Sequence, residues 1–101
     1  MGLRAMYIIE VKTRLIEIGQ EMDDLRKALA RIDAHAQEAF APQMKKLDEQ
    51  YAQLQSDHDL MRMFDESEWG KFPDTMDKAI HKLRHDVGAL HAAIETPLVP
   101  A

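Results

Sequence analysis

Apolar residues recur along the first third of this chain in a 3,4 alternation that suits a helix made to pack against another helix. Ile8, Leu15, Met22, Leu29 and Ala36 follow one another every seven residues. Val11, Ile18, Leu25, Ile32 and Ala39 lie three positions after each of them. This is the a/d seam of a coiled-coil-like helix. Ile9 and Ile16 add apolar b positions and widen the stripe near the amino end, which points to contact with more than one neighbour. Gly19 falls at an e position. It costs roughly 1 kcal/mol of helix propensity against Ala and lets a neighbouring helix approach closely.

Composition narrows the classes of function. With 101 residues there is room for one small domain, 1–101. Charged residues make up 31% of the chain, as in long helices with exposed faces. A net charge of −5 repels a phosphate backbone, so the expectation is no nucleic-acid partner. With no cysteine there is no disulfide, no thiolate metal site and no thiol catalysis. The amino end carries too short an apolar run for a signal peptide. No stretch approaches the roughly 20 apolar residues of a membrane span. Gly2 stands where a myristoylation signal would begin, but Met6 occupies the position that wants Ser or Thr. The expected place is the cytoplasm, with no membrane partner.

At Phe40 the apolar spacing resumes one residue out of phase, through Met44, Leu47, Tyr51, Leu54, His58 and Met61. The slip coincides with Pro42, which removes one helical hydrogen bond and clashes with the carbonyl four residues back. Residues 34–41 hold no Gly, Asn, Asp or Ser to reverse the chain. The expectation is therefore one helix over about 5–63, kinked or broken near 41–42. The pattern breaks over 64–74, with Gly70, Pro73 and the acids around Trp69, and the connection is expected at 64–72. Trp69 and Phe72 should fold back over the end of the bundle. A last helix is expected over about 73–95, with Asp74 and Asp77 in its first turn, where the helix dipole favours anions. Its seam is Met76, Ile80, Leu83, Val87, Leu90 and Ile94; Ala79, Gly88, Ala89, Ala92 and Ala93 keep the rest slim. The tail 96–101 should fray.

These lengths predict self-association. At 1.5 Å per residue the long arm spans roughly 90 Å and the last helix about 33 Å. Folded back, the last helix covers only the second half of the arm. The hairpin core would then be Met44, Leu47, Tyr51, Leu54, Trp69, Met76, Ile80, Leu83, Val87 and Leu90. Ile8, Val11, Leu15, Ile18, Met22, Leu25, Leu29 and Ile32 would have no partner in their own chain. Burying each is worth about 1.5–3 kcal/mol, so a second copy should cover them, giving a homodimer or tetramer.

Few groups could carry chemistry. His81 and His85 are four apart, with Asp77 one turn earlier, a spacing that metal sites use. Lys82 stands where a metalloprotease helix needs Glu, and Lys78, Lys82 and Arg84 would repel a cation. An ordinary solvated face is the simpler reading. His58, at an a position, could set register or make association pH-sensitive. Lys71, Lys78, Lys82 and Arg84 give one modestly basic face, balanced by Asp74, Asp77 and Asp86 and without the interleaved aromatics that single strands stack on. Seven methionines suit irregular core space or an adaptable binding surface. No nucleophile–base set, phosphate loop or paired-carboxylate motif is recognisable.

The second half, Gln43 to Ala93, resembles small bacterial coiled-coil, helical-hairpin proteins of unassigned function. The resemblance rests on Tyr51 and Leu54 in a long helix, the acidic Asp65-Glu66-Ser67-Glu68-Trp69 segment, and a short helix carrying Met76-Asp77-Lys78-Ala79, Leu83 and Asp86-Val87. It implies an all-α fold and supplies no catalytic residues to carry over. The sequence thus reads as an all-α, non-enzymatic oligomerisation or adaptor module with no cofactor, which assembles with itself or presents a helical surface to another protein. The alternative is a small metal- or ligand-binding helical protein using His81, His85 and Asp77.

Overall fold

The chain turns at Asp33, and that turn decides how the helices are arranged. The computed structural model describes residues 3–64 and 69–96. The acidic run 65–68 and the tail from Pro97, both parts of the expected connection and end, lie outside the described residues. Among the described residues the long helices are α1 over Leu3–Ala30, α2 over Ala34–Leu60 and α3 over Phe72–Glu95. At the end of α1 the backbone tightens: Arg31 N–H donates to the Ala28 carbonyl at 3.2 Å and Ile32 N–H to that of Leu29 at 3.4 Å. Asp33 then takes an extended conformation, and its carboxylate accepts from the Ala36 N–H at 2.8 Å. This satisfies one of the orphan donors that open α2. The Gln37 amide reaches back to the Ile32 carbonyl at 2.9 Å and ties the two helix ends together.

The break expected at 41–42 is therefore found at 31–33, and Pro42 lies inside α2. Proline removes one hydrogen bond from the ladder, while the packed residues on either side hold the helix. Phe40 packs against the core, and Met44 and Leu47 are buried in it. Ala36 and Ala39, which prolong the heptad on paper, are half-buried and exposed.

One core runs through all three helices. Val11, Leu15, Ile18, Met22, Leu25 and Ala28 enter it from α1. Met44, Leu47 and Leu54 enter from α2, and Met76, Ile80, Leu83, Val87, Leu90 and Ile94 from α3. Met61 is fully buried just after α2. The seam assigned to a second copy is thus covered within the chain itself: Ile8, Leu29 and Ile32 are half-buried against the same cluster. The expected hairpin core forms its other part, with Tyr51 and Trp69 half-buried. The early turn supplies the reason. It divides the supposed arm into two helices of similar length, 28 and 27 residues, so each can cover the other.

Polar contacts fix the order of approach. Tyr51 Oη donates to the Leu15 carbonyl at 2.9 Å, His58 Nε2 lies 3.1 Å from the Ile8 carbonyl, and Arg26 pairs with Asp48. Residue numbers fall along α1 as they rise along α2, so α2 runs back beside α1. Between α1 and α3 both rise together, from Tyr7 with Pro73 to Glu21 with Arg84. The bundle measures 56 × 20 × 19 Å.

Candidate interaction surface

The apolar residues of α1 occupy two faces. At 3.6 residues per turn, Val11, Leu15, Ile18, Met22 and Leu25 share the inner face. Met6, Ile9, Thr13 and Ile16 share the opposite one, again in a 3,4 spacing. Met6, Ile9 and Ile16 are 56, 55 and 53% exposed, and Leu3 at the helix start is 84% exposed. Leu60 and Met63, at the end of α2, are 42 and 79% exposed. Arg4 joins these two helix ends by donating to the Met61 carbonyl at 3.0 Å and to that of Phe64. Among the described residues, every exposed large apolar side chain thus belongs to residues 3–16 or 60–63. The described part of α3 contributes none.

The same end is closed by an aromatic cap. The Tyr7 ring meets Trp69 edge-on at 5.8 Å, Phe64 meets Phe72 at 4.8 Å, and the Arg4 guanidinium lies 5.0 Å from the centre of the Trp69 ring. The cap sets the position of α1 against the start of α3. Tyr7 Oη lies 2.9 Å from the Pro73 carbonyl and 2.7 Å from Asp77 Oδ1, so its one proton serves these two acceptors. Burial pushes the Tyr7 phenol well above its ordinary value, and its hydrogen bond to Asp77 adds to the rise. Arg14 shares the same Asp77 oxygen at 3.1 Å and holds Glu10 at 2.6 Å.

In the structure the expected metal trio is divided between engaged and exposed groups. Asp77 is engaged with Tyr7 and Arg14, while His81 and His85 are exposed on α3. Among the described residues, no three His, Asp or Glu side chains gather as a metal would require. His58 reaches the Ile8 carbonyl from a half-buried position. Two of the four groups of the basic face are paired with acids: Arg84 bonds Glu21 at 2.7 Å and Glu17 at 3.4 Å, and Lys78 bonds Asp74 at 3.2 Å.

Two shallow clefts flank the core. One, of about 300 Å³, lies between α2 and α3 over Leu47 and Leu90, with Gln43, Lys46, Gln50 and Asp86 on its rim. The other, of about 460 Å³, lies between α1 and α2 over Leu15 and Ile16 and is bordered by Lys12, Gln55 and His58. Neither brings together a nucleophile, a base and an oxyanion donor, which an acyl-transfer site would need. No family model, curated protein or solved structure matches the chain. Among the described residues, no helix is long and apolar enough to cross a membrane.

Sequence reasoning marked Ile9 and Ile16 as outside the seam but did not separate them from it as a surface. The signal was present in the second 3,4 series, Met6-Ile9-Thr13-Ile16, out of phase with the first. Leu3 and Met63 carried no periodic signal.

Proposed function

We propose that this chain is a non-enzymatic, cytoplasmic interaction module, an up–down–up bundle packed in the coiled-coil manner. It presents the outer face of α1 to another protein. The observation that carries this reading is that exposed Leu3, Met6, Ile9, Ile16, Leu60 and Met63 all belong to the first half of α1 or the end of α2. Scattered surface apolar residues are ordinary, whereas a grouped set at helical spacing suits a partner helix.

The test compares the intact chain with the double variant Ile9→Gln, Ile16→Gln, each immobilised and exposed to extract from the source cell. Both side chains are more than half in water already. The variant should therefore keep its helicity and melt within a few degrees of the parent. The intact chain should retain specific proteins, its own kind included, and the variant should lose them. Equal retention by both, or none by either, would contradict the reading.

A further inference from the structure

We propose that the outer face of α1 is covered by a second copy of this chain, lying parallel and in register. This rests on the interaction-module reading above and names the occupant of that surface. Met6, Ile9, Thr13 and Ile16 form a short a/d series of their own. Its flanks are charged unequally. Lys12 stands on one side, and Glu10 and Glu17 on the other. In a parallel pair, the residue before an a position faces the residue after the d position of the next heptad, five residues on. Lys12 of each copy then meets Glu17 of the other, giving two opposite-charge pairs around the two-fold axis. An antiparallel pair would set Lys12 against Lys12 and the glutamates against glutamates. Charge thus selects both the occupant and its direction. Lys12 makes no ion pair among the described residues. Glu17, 50% exposed, touches Arg84 only at 3.4 Å and retains acceptor capacity for a second cation. Parallel register also brings the Leu3 and Met63 ends of the two copies to the same end of the pair.

The area suits a weak dimer. Each exposed apolar side chain offers on the order of 100 Å², or at most about 600 Å² per copy for the six. Stable interfaces bury about 800 Å² on each side. Beyond Gln20 the same face carries Asp24 and Lys27, so contact is confined to the first half of α1.

Sedimentation equilibrium of the full chain, from micromolar to several hundred micromolar, tests the proposal. The expected result is a concentration-dependent dimer that Ile9→Gln, Ile16→Gln reduces to monomer with helicity retained. Lys12→Glu alone and Glu17→Lys alone should each weaken it at least about tenfold, because each turns both interchain attractions into repulsions. Combined in one chain, the two exchanges should restore it. Circular dichroism melts accompany each variant, so a fold damaged by loss of the Arg84 contact is recognised, and Lys12→Glu, which leaves that contact intact, decides such a case. A monomer at every concentration overturns the proposal. If that monomer still captures a different protein through Ile9 and Ile16, the interaction-module reading survives with another occupant. A dimer indifferent to Ile9 and Ile16 places the interface elsewhere. One sensitive to them but indifferent to both single charge changes is not the parallel pair.

Discussion

A side chain at position 19 would collide with Tyr51. A Cβ built there lies 2.8 Å from Tyr51 Oη and 3.5 Å from the ring carbon that carries it. The hydroxyl is not free to leave without loss, because it donates to the Leu15 carbonyl at 2.9 Å. Gly19→Ala should gain about 1 kcal/mol of helix propensity and lose about the same in the displaced hydrogen bond. The net change in the parent should be near zero or destabilising. With Tyr51→Phe in place, the nearest remaining contact is an ordinary one, and Gly19→Ala should then stabilise by about 1 kcal/mol. Urea denaturation of the four chains in this cycle measures the difference. An equal effect of Gly19→Ala in both backgrounds would show that Tyr51 does not lie over Gly19. The sequence made legible that Gly19 admits a close neighbour and that Tyr51 faces the core. It did not show that the two meet, because the register between α1 and α2 depends on where the chain turns.

Among the elements, α2 carries the clearest conflict between local and tertiary preference. Its interior holds Pro42, yet the helix runs on to Leu60. A proline there costs about 3 kcal/mol against Ala in a free helix, less what the bundle absorbs by bending. Pro42→Ala should accordingly raise stability by about 1–3 kcal/mol, read as a higher urea midpoint with an unchanged slope. If residues 41–42 formed a turn instead, losing the rigid residue would be neutral or destabilising. The helical character of these segments was legible because Leu, Ile, Met and Val repeat at a/d spacing. The first boundary was not. Ala36 and Ala39 fit the heptad numerically while burying little, and the one turn signal, the N-cap carboxylate of Asp33, stands directly before residues 34–41. Proline drew the break to itself because its local cost is large and the packing of Phe40, Met44 and Leu47 around it cannot be read from spacing. The surroundings of the metal trio were illegible for a related reason. Spacing along α3 puts Asp77 near His81, but it is α1 that supplies Tyr7 and Arg14 to occupy the carboxylate.

At the scale of the whole molecule, the early turn changes what self-association can mean. A rod of about 90 Å with a naked seam would require a second chain to fold. The bundle of 56 × 20 × 19 Å buries Val11, Ile18 and Leu25 completely within its own chain. In the proposed assembly, finished bundles would join through the outer face of α1, and the fold would not depend on that contact. The most direct test is an intramolecular distance between α1 and α2. The chain has no cysteine, so Lys12→Cys, Gln55→Cys gives a unique pair of spin-label sites. Both residues border one cleft between the two helices. Double electron–electron resonance on labelled chains diluted with unlabelled ones reports the distance within a single chain. Packed helices lie about 8–10 Å apart, so the labels should be separated by less than about 25 Å. A distance near 65 Å, the span of 43 residues in one unbroken helix, would contradict the closed bundle.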